Sequence, residues 1–188
     1  MNMKTKLLAL FSMIVLSMSF TACSDDDPQP AIEYKTEGYI KGKIVGVSAD
    51  NSYTFNDDFN YTQYLTLGEI ESYYEINDDG SFDISISRND FSAGGSAYLN
   101  FELSNAADVT PNDSYLEINY FKELNDKVIS FYMDSGDLDN TFSITDFTFD
   151  VTTGKVKGKY TLSGSDNSTD KNATVSGDFE VTAKKIVQ

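Results

Sequence analysis

Over most of the chain from Thr36 to Ala183, apolar residues fall at every second position, and a period of two leaves room for little besides β-strands. Phe82, Ile84 and Ile86 alternate with Ser81, Asp83, Ser85 and Ser87. Ala97, Leu99, Phe101 and Leu103 alternate with Tyr98, Asn100, Glu102 and Ser104. Leu116, Ile118 and Tyr120 make the next apolar face, followed by Ile129, Phe131 and Met133. Ala173, Val175, Gly177, Phe179, Val181 and Ala183 share one parity at the end of the chain. No stretch keeps a 3.6-residue period, so little helix is expected.

Turn chemistry divides this pattern into about nine or ten strands. Asn77-Asp78-Asp79-Gly80 ends in an Asp-Gly pair, a hairpin signal, and Asn125-Asp126 marks a second tight turn. Tyr61–Leu67 and Tyr73–Ile76 read as strands, whereas the polar stretch from Ala49 to Asn60 reads as a long loop. Phe142 and Ile144 sit at even positions but Phe147, Phe149 and Val151 at odd ones. Such a parity switch needs one extra residue, so a β-bulge is expected at Thr145-Asp146; a strand buried on both faces is the alternative. Short turns and one apolar face per strand predict an all-β fold, an antiparallel β-sandwich whose loops at 48–60 and 104–114 cross between sheets. A lipocalin-like meander barrel is the alternative.

Ahead of the strands, Lys4 and Lys6 precede an apolar run from Leu7 to Phe20, then Ala22 and the single cysteine, Cys23. The run is about 14 residues, a secretory length and short of the roughly 20 that span a bilayer. This resembles a bacterial lipoprotein signal, which implies cleavage before Cys23 and acylation of that residue. Each buried methylene contributes about 0.8 kcal/mol, so two or more acyl chains anchor stably. Ser24, Asp25, Asp26 and Asp27 follow, and Cys-Ser-Asp-Asp-Asp resembles the surface-export signal of Bacteroidetes-type lipoproteins. The resemblance implies a lipid-anchored protein of the outer membrane that faces the cell exterior. On this reading residues 1–22 are the signal peptide, 23–33 an extended acidic tether with Pro28 and Pro30, and 34–188 a single all-β domain.

Removing Lys4 and Lys6 with the signal takes the net charge from −16 to −18, because the segment holds two of the 14 basic residues and none of the 30 acidic ones. Such a surface repels nucleic acid. The chain has no histidine, so serine–histidine and cysteine–histidine catalysis and histidine-ligated zinc are excluded. One cysteine allows no internal disulfide, and stability must come from a core to which the 12 Tyr and the 11 Phe that follow the signal contribute much.

Three groups of residues are candidates for a site. Lys41 and Lys43 share one strand face, and Lys155, Lys157 and Lys159 share another, within an internal echo that aligns Thr36–Ile44 with Thr152–Tyr160. These lysines either solvate an edge strand or outer face, or form a patch for an anionic ligand such as an acidic glycan. Gly42 and Gly158 lie between them on the opposite face, where a close approach would need glycine. Asp134, Asp137, Asp139 and Asn140 form an oxygen-rich stretch that can hold calcium, although the spacing is not that of an EF-hand; a solvated turn is the plainer reading. Tyr34, Tyr39, Tyr61, Tyr64, Tyr73, Tyr74 and Tyr98 can supply stacking faces for a glycan. No catalytic residues are indicated, since thirty acids contain carboxylate pairs at any spacing. The first functional reading is a non-enzymatic role in binding or envelope structure, with a glycan or another envelope protein as partner. A glycan-binding accessory protein or a lipocalin-like small-ligand carrier is the alternative.

Overall fold

Each alternating run forms a strand. The computed structural model describes residues 34–48, 50–65, 72–166 and 171–186, so the signal, Cys23 and the acidic tether lie outside the described residues. In chain order the strands are β1 (Tyr34–Val47), β2 (Thr54–Leu65), β3 (Tyr73–Ile76), β4 (Phe82–Asp90), β5 (Gly95–Leu103) and β6 (Asp113–Leu124). They continue as β7 (Lys127–Asp134), β8 (Thr141–Asp150), β9 (Lys155–Asp166), β10 (Lys171–Thr182) and the two-residue β11 (Lys184–Lys185). No helix occurs among the described residues.

Hydrogen bonding runs in the order β7-β6-β5-β4-β2-β1-β10-β9-β8, with β3 on β4 and β11 parallel to β3. The sheet folds over at the β4–β2 join into two layers. One is the five strands β2-β1-β10-β9-β8, and the other is β11-β3-β4-β5-β6-β7. The ends β7 and β8 do not pair, so the sheet is a sandwich and not a closed barrel. Between the layers, Phe101 of β5 packs on Phe147 of β8 at 5.0 Å and on Phe179 of β10 at 5.4 Å. Phe55 meets Phe131 at 5.4 Å, and Tyr74 meets Phe149 at 5.1 Å. Leu99, Leu103, Ile118, Met133, Val156 and Val175 complete an interior from which water is excluded. Each such side chain contributes roughly 1.5–3 kcal/mol. A barrel carrier keeps its lumen open; here the interior is filled by the protein's own rings.

Two expectations are corrected. The stretch from Ala49 to Asn60 is not one long loop, because β2 begins at Thr54. Its polar residues Asn56, Asp58 and Asn60 point outward while Phe55, Phe59 and Tyr61 enter the core, so a half-buried strand carries a loop-like composition. Nor do loops 48–60 and 104–114 cross between layers: the first joins β1 to its neighbour β2, and the second joins β5 to its neighbour β6. The chain changes layer after β2 and again through residues 135–140, and it returns at the single residue between β10 and β11.

The parity switch is a bulge. The β8–β9 register shifts between Thr145 and Thr148, and Asp146 takes φ +53. The extra residue turns Phe142, Ile144, Phe147 and Phe149 toward the same interior. The hairpin at Asn77–Gly80 forms with Gly80 at φ +87, and Asn125-Asp126 has φ 52 and 61, the two positive values of a type I′ turn.

Among the described residues the β4–β2 join has one backbone pair, Gln63 with Asn89. Arg88 is 2% exposed beside it. Its Nε donates to the Glu37 carbonyl at 2.8 Å, and Nη1 donates to Ser72 Oγ at 2.8 Å and the Ser87 carbonyl at 2.6 Å. Its guanidinium lies 4.7 Å from the Tyr64 ring centre. Burial pulls its pKa down to about 10, which leaves it charged at neutral pH.

Asp146→Val should cost about 1–2 kcal/mol in urea unfolding, since a β-branched residue is strained at positive φ, whereas Asp146→Gly should stay within about 0.5 kcal/mol. Arg88→Met should cost about 1–3 kcal/mol by stranding buried acceptors. Arg88→Lys should not restore it, because one ammonium cannot reproduce the planar fork.

Candidate functional site

The lysine groups do come together. Lys41 and Lys43 of β1 and Lys155, Lys157 and Lys159 of β9 flank β10 on the outer side of its layer, so they solvate interior strands and not an edge. Carboxylates of β10 and β8 interleave with them. Lys41 lies 3.3 Å from Asp178, Lys155 2.5 Å from Glu180, and Lys159 2.7 Å from Asp146. Hydrogen bonding to Asp178 raises the pKa of Lys41, and bonding to Lys155 and Lys159 lowers those of Glu180 and Asp146. Lys43 stands opposite Asp58, and Lys157 opposite Glu180. With Asp150 across from Lys155, five lysines meet five carboxylates, and the face carries no positive excess for an anion. A shallow groove of about 780 Å3 runs over it, between Tyr39, Lys157, Glu180 and the loop residue Val109.

The glycines beneath the lysines admit the core. A Cβ on Gly42 would lie 2.5 Å from the Ser176 carbonyl and 2.8 Å from the Tyr160 hydroxyl, and one on Gly158 would lie 2.9 Å from the Phe179 ring. Tyr160 fills the space and donates to the Lys41 carbonyl at 3.0 Å. The close approach is internal.

Asp134, Asp137, Asp139 and Asn140 lie at the end of β7 and in the 135–140 connection, where backbone amides bond to the side chains of Asp134, Asp137 and Asn140. Asp134 Oδ1 accepts from Gly136 N at 2.8 Å, and Asp137 Oδ1 from Asp139 N at 3.2 Å. Asn140 Nδ2 donates to the Asp134 carbonyl at 2.7 Å, and Asn140 Oδ1 accepts from Ser165 N at 2.7 Å. Among the described residues no three acidic side chains converge as a metal site. These groups build the turn.

The tyrosines separate. Tyr61 and Tyr74 are buried, with hydroxyls on the Asn119 and Val151 carbonyls; Tyr64 lies against Arg88; Tyr39 is on the lysine face; and the Tyr34 side chain lies outside the described residues. Tyr73 and Tyr98 project from the outer side of the other layer, where Tyr115 and Tyr132 join them. The last two were not nominated from sequence, although they alternate with Leu116, Ile118, Phe131 and Met133 and so must face outward.

This face is built in rows. Glu117 stands between Tyr98 and Asp134 across β5-β6-β7, and the Tyr98 and Tyr115 rings meet edge to face at 6.3 Å. Glu117 accepts from Asn119 Nδ2 at 2.9 Å and from the Tyr115 hydroxyl at 3.3 Å. Burial first, then Asp134 and Glu117, raises the pKa of Tyr115; burial and a hydrogen bond to Asp134 push Tyr132 up to about 12. Toward the other end of the strands, Glu75, Asp83, Glu102 and Asp113 stand directly opposite one another across β3-β4-β5-β6. Between the acidic row and the rings is a trough of about 180 Å3 lined by Tyr73, Asp83, Ser85, Tyr98, Asn100 and Glu102.

No protein-family model, curated protein or solved structure matches the chain.

Six tyrosines, Tyr39, Tyr61, Tyr115, Tyr120, Tyr132 and Tyr160, have pKa values raised above 10. The unfolded chain releases these protons near pH 10 while the folded one retains them. Their contribution is therefore complete below pH 10 and is lost as pH rises through 12 and beyond. Absorbance at 295 nm should show part of the tyrosine complement failing to ionise until the domain unfolds cooperatively above pH 10.

Proposed function

We propose that this chain is a lipid-anchored surface protein that binds a hydroxyl-rich polymer on the tyrosine–carboxylate face of β3–β7 and performs no chemistry on it. The observation that carries the reading is Tyr73, Tyr98, Tyr115 and Tyr132 standing together on an outer face, amid amides and carboxylates, while the interior is packed solid. Sugar rings stack on aromatic faces and their hydroxyls bond to carboxylates and amides, so the face matches a glycan in kind. Glu117 and Asp134 are engaged by Asn119, Tyr115 and Gly136, which suits them to hold rings in place and not to move protons. The lysine face is self-neutralised and supports no comparable ligand. Anchoring through Cys23 and export by Ser24–Asp27 complete the reading, with the acidic domain held off the membrane by its tether.

A polysaccharide panel tests it. The purified domain should retain at least one glycan without releasing reducing ends, and Tyr98→Ala should weaken retention about tenfold. Release of reducing ends would overturn the binding role. Cys23→Ser should move the protein out of the membrane fraction with its folding unchanged; retention there would overturn the anchor.

A further inference from the structure

Resting on that binding face, we infer that the trough between Tyr73 and Tyr98 is a subsite for a protonated amine, and that the glycan it takes carries free amino sugars. Three observations meet there. Asp83 and Glu102 are directly opposite each other across β4–β5, and the row extends to Glu75 and Asp113. Like charges in that position repel, and a cation between them relieves the repulsion. The opposite layer interleaves lysines with its acids, whereas here the register sets Asp83 against Glu102, with Asn77 Nδ2 donating to Asp83 Oδ2 at 3.1 Å.

Ser85 is 7% exposed, lines the trough, and its hydroxyl bonds to none of the described residues. A buried hydroxyl without a partner is unusual, and one facing a trough is satisfied by whatever enters it. Tyr73 and Tyr98 line the same trough. Aromatic faces attract organic cations and stack sugar rings, whereas a metal ion would use the carboxylates and leave the rings idle. An ammonium offers three donors, which Asp83, Glu102 and the Ser85 oxygen can accept; Asn100 remains for a ring hydroxyl. The space of about 180 Å3 suits one sugar ring of a longer chain.

Calorimetric titration of the domain with a glucosamine oligomer and with its fully N-acetylated counterpart of equal length tests this, since acetylation replaces each ammonium with a neutral amide. The amine form should bind at least about tenfold more tightly. Glu102→Gln should abolish that preference while leaving the acetylated form's affinity and the thermal midpoint no lower. Ser85→Ala should weaken the amine form without destabilising the fold. Equal binding, or tighter binding of the acetylated form, overturns the amine subsite and leaves the binding face standing. Binding of a lysine-rich peptide but of no glycan overturns both. Stabilisation by calcium alone, lost in Glu102→Gln, reassigns the trough to a metal and overturns the inference.

Discussion

Both layers depend on a join that backbone hydrogen bonding scarcely makes among the described residues. There the β2–β4 ladder is the pair Gln63 and Asn89, reinforced where Phe91 N donates to Gln63 Oε1 at 2.9 Å. Arg88 supplies what the ladder lacks. One guanidinium ties the carbonyl of Glu37 in β1, the hydroxyl of Ser72 ahead of β3 and the ring of Tyr64 in β2 to β4 itself. Burying a charge among neutral acceptors is costly, and desolvation of Arg88 registers that cost. It persists because a rigid five-donor fork can satisfy several strands at a corner where no regular ladder continues.

The layer holding β1, β9 and β10 solves a different problem. Gly42 and Gly177 face each other across β1 and β10, leaving a gap that Tyr160 covers from within. Because its hydroxyl then binds the Lys41 carbonyl, core packing and the position of the lysine face are set by one side chain. The lysines above are paired with acids of β2, β8 and β10 that the strand register puts beside them. On the other layer the register puts acid beside acid. Neither arrangement shows in composition, since both faces alternate polar with apolar residues.

That contrast marks what was legible beforehand. Period two, the turn residues and the parity switch at Thr145-Asp146 identified most strands, the bulge and the inward set, because these depend on neighbours in sequence. The start of β2 was hidden because Asn56, Asp58 and Asn60 look like loop residues until Phe55 and Phe59 are seen to point inward. The crossing points and the Glu75–Asp83–Glu102–Asp113 row depend on which strands become neighbours, which no local pattern contains. Ser85 sits at a polar position of a well-recognised strand, and its burial comes from Tyr73 and Tyr98 on either side.

The uneven pairing of charge has a consequence for the molecule in a field. One outer face balances its lysines against its acids, and the other collects Glu75, Asp83, Glu102, Asp113, Glu117 and Asp134. The domain is thus an electric dipole across its thin dimension, with the negative pole on the tyrosine-bearing side. Beside any negatively charged surface, within about a Debye length, such a body experiences a torque as well as a repulsion. The torque turns the balanced side toward the surface and the tyrosines away from it. A domain of this kind held at one point would take its heading from the field alone.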